Sequence, residues 1–418
     1  MRALTEACFV PPEGAPTDER IGIELEWLTI SARRPDDRLD LDALRAAAGS
    51  APLPGGGTTS FEPGGQLELN SAPLAGLDAA LTAAAADARE LSTRMARVGV
   101  GLVPIGLDAF REPRRVLHSP RYDAMEAAFD ARGDHGRRMM CNTAALQVNV
   151  DLGPDPAARW RLAHALGPTL VACFANSPFG AGAGGGRPSG WRANRLATWW
   201  GIDPSRTASP SMAADPAGAW RDYALAANVL LIQGDGTAPG PGDGHATPVT
   251  GSFPFARWMA EGHPSGWPTV DDLAYHLTTL FPPVRPRGWL ELRMLDAVDD
   301  AVWPVAVAVT VALLTDPDAA AAATEATVGT AGRWADAARC GLSDPDLARS
   351  ADACVAAALE ALPRRGGSSA LADAVSAFRD RYVARRRSPA DDRLDEWHAL
   401  GRLLPQGTDS EREPAWAS

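Results

Sequence analysis

Four short stretches of this chain alternate strictly between apolar and polar residues, and the polar half is almost entirely carboxylate and carboxamide. Successive side chains of a strand point to opposite faces, so each stretch predicts a strand with one oily and one acidic or amide-bearing side. In residues 21–27, Ile21, Ile23, Leu25 and Trp27 share one face while Gly22, Glu24 and Glu26 share the other. In 66–70 the split is Leu67 and Leu69 against Gln66, Glu68 and Asn70; in 146–151 it is Leu146, Val148 and Val150 against Gln147, Asn149 and Asp151. In 289–294, Leu290, Leu292 and Met294 alternate against Glu291 and Arg293. An antiparallel sheet with one face in water also alternates, but a solvated face normally mixes in threonine, serine and basic residues.

Crowded carboxylates repel and raise one another's pKa unless a divalent cation neutralises them. Side chains two apart on a strand lie roughly 7 Å from each other, so Glu24 and Glu26 could bind neighbouring ions or opposite sides of one. Hard oxygen donors without histidine or thiol select Mg2+ or Mn2+ over zinc, and magnesium held this way usually keeps sites for phosphates, which points to ATP. Gly22 and the pair Gly64 and Gly65 would let backbone or ligand approach closely.

All 40 basic residues are arginine, which excludes a P-loop lysine, a pyridoxal Schiff base and any lysine nucleophile. Any phosphate or carboxylate must be gripped by arginine, metal or backbone. A net charge of −12 argues against nucleic acid as a partner. Five cysteines without a CxxC pair read as reduced thiols, and seven histidines show no HExxH, so zinc is not expected. The longest apolar run, 301–314, is interrupted by Pro304 and falls short of the roughly 20 residues that span a bilayer, so it reads as a buried helix. The expected location is cytoplasmic, with no membrane partner; the oligomeric state cannot be read.

Alanine, leucine and arginine recur at helical spacing in 41–48, 77–98, 156–174 and 220–231, and helix dominates after Val302, in 319–340, 345–362, 369–387 and 389–404. Loops are expected at 51–57, 180–190 and 234–248. The run Gly180 to Gly185 satisfies GxGxxG by letter but has no strand before it or helix after it, so a loop over a ligand is the better reading than a dinucleotide fingerprint. The expected organisation is an N-terminal extension (1–18), one catalytic domain (19–404) with sheet motifs in 20–300 and helices in 301–404, and a flexible tail (405–418).

In order along the chain stand GIELEW from Gly22, FEPGGQLELNSAP from Phe61, MMCNTAALQVNVDLG from Met139, NSPF from Asn176 with RPSGWRANR and DPSRT following, and WLELRMLDA from Trp289. This ordered set resembles the glutamate-cysteine ligases, especially their plant-type and bacterial ergothioneine-pathway branch. The resemblance implies an α+β, glutamine synthetase-like catalytic fold, in which a curved, largely antiparallel sheet forms a funnel with helices packed outside. It implies that the γ-carboxylate of L-glutamate attacks ATP, giving γ-glutamyl phosphate, which the amine of L-cysteine then opens. By motif position Glu24, Glu26, Glu68 and Glu291 become the expected metal ligands, with Glu62 a weaker candidate. Gln147 and Asn149 match a strand that touches substrate or metal. Arg293 would stabilise the transferred phosphoryl, with Glu26 beside it in the catalytic centre, or else simply pair with Glu291.

Arg192, Arg195 and Arg206 fall in segments resembling the family's nucleotide and substrate region, and at least one is expected to grip a substrate carboxylate bidentately. Trp191, Trp199 and Trp200 either wall the pocket or pack, and Cys141 reads as a buried, inert thiol. The loop after Asn176 departs from the family in being glycine-rich. Nothing in the residues themselves demands a thiol-bearing acceptor. A ligase for another amine, or a non-catalytic sensor of nucleotide or amino acid, stays open as an alternative.

Overall fold

The computed structural model describes residues 2–11, 19–180, 186–234 and 246–401. The expected tail at 405–418, most of the Gly180 to Gly185 run and most of the loop expected at 234–248 lie outside these residues.

The first acidic stretch opens the longest strand, β1 (Arg20–Ser31), whose neighbours are all antiparallel. The strands β2 (Thr58–Phe61), β3 (Leu67–Asn70), β4 (Leu74–Ala75), β5 (Val100–Val103) and β6 (Ala145–Asp151) follow in the chain. A small hairpin of β7 (Leu231–Gln233) and β8 (Ala246–Pro248) stands apart, and β9 (Val284–Pro286) and β10 (Trp289–Asp296) complete the set. The main sheet runs β2-β3-β1-β6-β10-β9, with β4 and β5 also paired to β1.

Register decides which side chains share a face. Glu24 stands opposite both Asn70 and Gln147, Glu26 opposite Glu68, Glu68 opposite Ser60, and Asn149 between Gly22 and Glu291. Glu291 in turn faces Arg285. The four alternating stretches therefore contribute their polar halves to one continuous face, because a slip of one residue would bury carboxylates and expose leucines.

The opposite face carries Ile23, Leu25, Leu67, Leu69, Val148 and Leu292, each at most 4% exposed. Three helices cover it: Leu77–Arg97 on β1, Pro156–Phe174 on β10 and Trp303–Thr315 on β6. Each buried aliphatic side chain there contributes about 1.5–3 kcal/mol. Every residue of Trp303–Thr315 is buried, as the apolar run demands. Among the described residues no single helix is long and apolar enough to cross a membrane.

The helices expected over 319–340 and 220–231 come out shorter. The first divides into Pro317–Ala326 and Trp334–Cys340, interrupted where Gly329 and Gly332 fall, and the second is Pro216–Ala226, leaving Leu231 to start a strand. At the N-terminus, Arg2–Ala7 forms a helix packed on Pro216–Ala226.

Candidate active site

The polar sheet face floors a cavity of about 360 Å³ lined by Glu24, Glu26, Glu62, Glu68, Gln147, Glu291 and Arg293. Its walls come from Tyr122 and Met125 of helix Pro120–Asp130, from Met139 and Met140 of helix His135–Asn142, and from Trp199, Phe281, Arg285 and Arg287. Ser119 caps the first of these helices by accepting from Tyr122 N at 3.2 Å, with Pro120 preset for the first turn. Glu62 and Gln66 flank a turn in which Gly65 N donates to Glu62 O at 2.8 Å with Gly65 at φ 87°. A Cβ on Gly64 would stand 2.2 Å from Cys141 O, so only glycine lets this turn seat against helix His135–Asn142.

The carboxylates are individually ordered by amide donors. Glu26 accepts from Ala145 N and Gln147 Nε2, both at 2.9 Å, and Glu24 accepts from Asn149 Nδ2 at 2.9 Å. Trp289 Nε1 fixes the other end of Asn149 by donating to Oδ1 at 3.1 Å. Ser60 donates to Glu68. Burial, then the charges of Glu291 and Glu68, pushes Glu24 up to about 7. Burial and Glu68 push Glu26 up to about 8, and Glu62 rises well above the carboxylate range for the same reasons.

Glu291 behaves oppositely. Burial alone would raise it, but Arg285 and Arg293 outweigh burial and hold it at about 2. Arg285 binds it through Nε at 2.5 Å and Nη2 at 3.0 Å, and Arg293 Nη1 adds a third bond at 3.0 Å. Expected as a metal ligand, Glu291 is here the anchor of an arginine pair. Arg293 Nε is buried without a partner, as are Gln147 Oε1, Gln66 Oε1 and Trp199 Nε1, all belonging to residues of this cavity. Two donors and two acceptors thus go without a protein partner among the residues that line this cavity.

The three arginines expected to grip a substrate carboxylate are elsewhere. Arg192 Nε pairs with Asp391 at 2.8 Å. Arg206, fully buried, donates to Thr279 O at 2.7 Å and Asn228 O at 2.5 Å and pairs with Asp203. Arg195 is bound to Asp296 and to the backbone of β10. Local motif context points to these three, whereas the cavity's arginines are Arg121, Arg285, Arg287 and Arg293. Of these, Arg285 is invisible to pattern reading because its strand is three residues ending in proline. Trp199 lines the cavity; Trp191 and Trp200 pack against each other at 6.3 Å and against the core. Burial pushes the Cys141 thiol up to about 12, in keeping with an inert core residue.

A second cavity of about 250 Å³, lined by Arg20, Gly22, Ser71, Asn149 and Trp289, shares Glu24 and Asn70 with the first. The two spaces therefore have the Glu24 and Asn70 strand positions in common.

The fold is α+β, with an antiparallel sheet whose carboxylate-lined face meets fixed arginines, the arrangement of a site for charged ligands. The sequence profile of glutamate-cysteine ligase family 2 matches residues 20–411. The chain belongs to that family. It is 44% identical over 393 residues to glutamate-cysteine ligase EgtA of Mycolicibacterium smegmatis, covering 91% of this chain and 88% of that protein. Glutamate-cysteine ligase EgtA of Mycobacterium tuberculosis is 42% identical over 94% of this chain and 85% of its own length. The chloroplastic glutamate-cysteine ligase of Brassica juncea is 30% identical over 57% of this chain and 46% of its own length. Among solved structures, glutamate-cysteine ligase from Francisella tularensis in complex with AMP shares the fold with a TM-score of 0.54 at 12% identity, covering 92% of this chain and 85% of that one.

Proposed function

We propose that this protein is an ATP-dependent glutamate-cysteine ligase: it joins the γ-carboxylate of L-glutamate to the amine of L-cysteine, feeding ergothioneine or another low-molecular-weight thiol. The observation carrying this reading is one face on which several half-buried carboxylates, two of them pushed up to about 7 and 8, stand beside Arg285 and Arg293. Such a face is under-neutralised. Hard oxygen donors in that state suit a divalent cation, and Glu24, Glu26 and Glu68, with Glu62 at the turn, are the residues that would hold Mg2+. Among the described residues no three of these side chains close on one point at coordination distance, so charge rather than a finished cage supports the assignment.

In the first step a γ-carboxylate oxygen of glutamate bonds to the γ-phosphorus of ATP as the bond to the β-phosphate oxygen breaks and ADP leaves. In the second the cysteine nitrogen bonds to the acyl carbon, the carbon–oxygen bond to phosphate breaks, and the nitrogen gives up a proton. Both substrates are anions, so the barrier is dominated by gathering negative charge. Bound Mg2+ would offset that charge at the phosphates. Arg293 faces the same space; Glu291, Glu24 and Glu26 offset the effect of burial on it and keep its guanidinium protonated. The reacting groups are assigned to the larger cavity, which the acidic face and Arg293 line. There Met125, Met139 and Met140 form a soft, polarisable wall suited to a CH2–SH group.

Purified protein with Mg-ATP and L-glutamate, with and without L-cysteine, tests this reading by ADP release and product mass. Cysteine-dependent release yielding γ-glutamylcysteine supports it. Release with a different amine moves the acceptor, and no release with any amine overturns the ligase.

A further inference from the structure

The pairing of β10 with β6 slips by one residue. Leu292 stands opposite Val148, but two residues back along β6 Leu146 meets Leu295 rather than Met294, so one extra residue bulges from β10 beside Arg293. A bulge breaks the ladder and leaves backbone groups to be satisfied from elsewhere. Here one side chain does so. Arg195 Nη2 donates to Arg293 O at 2.8 Å and to Leu295 O at 2.6 Å, spanning the bulge, while its Nε donates to Asp296 Oδ1 at 3.0 Å.

Arg195 is itself locked. Asp296 also accepts from Asn176 N at 2.8 Å and Ser177 Oγ at 2.7 Å, and Ser177 Oγ accepts from Arg195 N at 3.0 Å. Arg195 and Asp296 side chains are 1% and 0% exposed. A Cβ on Gly106 would stand 2.5 Å from Asp296 Cγ, so the backbone there is shaped around this pair. The Trp199 ring, four residues along the same helix, lies 5.7 Å from the Arg195 guanidinium and 5.6 Å from that of Arg293. Arg293 is thus held by its own carbonyl, by a shared indole and by Glu291.

From this geometry we infer that Arg195, buried with Asp296, is a positioning residue that holds the β10 bulge and through it aims the Arg293 guanidinium into the cavity. The inference rests on the phosphoryl role proposed for Arg293. It also gives the NSPF and RANR motifs a common purpose, since Ser177 and Arg195 belong to the same clamp. Lysine at 195 could keep the charge opposite Asp296 but could not reproduce the planar fork that serves two carbonyls and a carboxylate together. Misplacement of a charge-stabilising group by about 1 Å costs on the order of 100-fold in rate.

The test is a double-mutant cycle on ADP release with Mg-ATP, L-glutamate and L-cysteine. Arg195→Lys is expected to lower kcat about 10- to 100-fold with KM for ATP and glutamate within about threefold. Combined with Arg293→Lys, it is expected to add less than about threefold to the loss from Arg293→Lys alone, because a residue acting through Arg293 has nothing left to aim. Losses that multiply, or a wild-type kcat in Arg195→Lys, overturn the inference. Should Arg195→Lys not fold, Ser177→Ala leaves the ion pair whole and enters the same cycle with a smaller expected loss; multiplying losses overturn the inference there too. Wild-type protein that releases no ADP refutes the ligase reading instead. The clamp is then judged by a crystal structure of Arg195→Lys, where an unmoved Arg293 guanidinium overturns it and a displaced one supports it.

Discussion

Arg285 on β9 grips Glu291 on β10 with two parallel bonds across directly opposed positions of neighbouring strands, and Arg293 closes on the same carboxylate from two residues along. An acid expected to bind metal is instead saturated by guanidinium, and its pKa falls while those of Glu24 and Glu26 rise on the same face. One end of the face is therefore a fixed ion-pair cluster, and the other is an acidic patch short of positive charge.

That contrast predicts an outcome at Arg285. Removing one partner of a buried pair leaves the other charge uncompensated, at a cost of about 3–5 kcal/mol. With Arg293 still on Glu291, Arg285→Ala should lose less than that in urea unfolding, whereas Arg285→Lys should lose less still yet lower turnover, since a single ammonium cannot hold both oxygens of Glu291. Because the folded pKa of Glu291 lies below its unfolded value, its contribution is present above pH 4.5 and fades as pH falls towards about 2. In Arg285→Ala this acid-side slope should be smaller. An unchanged stability would mean that Arg293 alone satisfies the carboxylate.

Glu26 should show the reverse sign. Its folded pKa, about 8, lies above the unfolded value, so the group favours folding when protonated and penalises it as pH rises from about 4.5 through 8. A bound divalent cation removes the penalty. Mg2+ should therefore raise the melting temperature more at pH 8 than at pH 6. Glu26→Gln should melt higher than wild type without Mg2+ at pH 8, respond less to Mg2+, and lose at least about 100-fold in ADP release through the lost ligand charge. A Mg2+ shift that is equal at both pH values, or that survives Glu26→Gln intact, would remove Glu26 from the cation site.

Most of the sheet is legible in the sequence because its signal is local. In Ile23, Glu24, Leu25 and Glu26 the period of two states both the strand and its polar face, and the register then follows from keeping leucines on the covered side. The arginines are not legible in the same way. Arg192, Arg195 and Arg206 sit in conspicuous motifs, yet the partners of the first two, Asp391 and Asp296, lie 199 and 101 residues away, and no spacing rule announces them. Arg285 has no pattern around it at all; only the pairing of β9 with β10 brings it to Glu291. Tyr122 and Met125 reach the cavity on helix 120–130, whose helical spacing is too weak to announce it, and Met139 on helix 135–142, which is only eight residues long.

Two buried histidines make a prediction remote from the site. His276 Nε2 donates to Ala224 O at 2.9 Å and His164 Nδ1 to Trp160 O at 2.9 Å, and the second ring nitrogen of each is buried without a partner. Burial lowers His276 to about 3 and His164 to about 4. Unfolded histidine binds a proton near pH 6.5, so the stability held by the neutral rings is present above that pH and is lost as pH falls towards 4 and 3. For His164 the full loss amounts to roughly 3 kcal/mol. His164→Gln should flatten part of the decline in unfolding free energy between about pH 6 and 4. An equally steep decline would assign it to other groups.

If the reacting groups occupy the larger cavity as proposed, the acceptor side chain meets the wall formed by Met125, Met139 and Met140, all at most 9% exposed yet lining the cavity. Thioethers offer a thiol favourable dispersion contact and no strong hydrogen-bond partner, so a serine hydroxyl in the same place would lose its water without replacement. A pocket of this kind separates such close analogues by about 10- to 200-fold at most. Met139→Leu keeps volume and apolarity and should leave the cysteine-to-serine ratio of kcat/KM within about threefold. Met139→Gln places a donor and acceptor on the wall and should lower that ratio about tenfold, chiefly by improving serine, while 2-aminobutyrate tracks cysteine in both variants. If the ratio is indifferent to Met139→Gln and to the same change at Met140, the acceptor side chain points away from this wall, and Arg121 and Thr278 on the far rim become the residues to vary next.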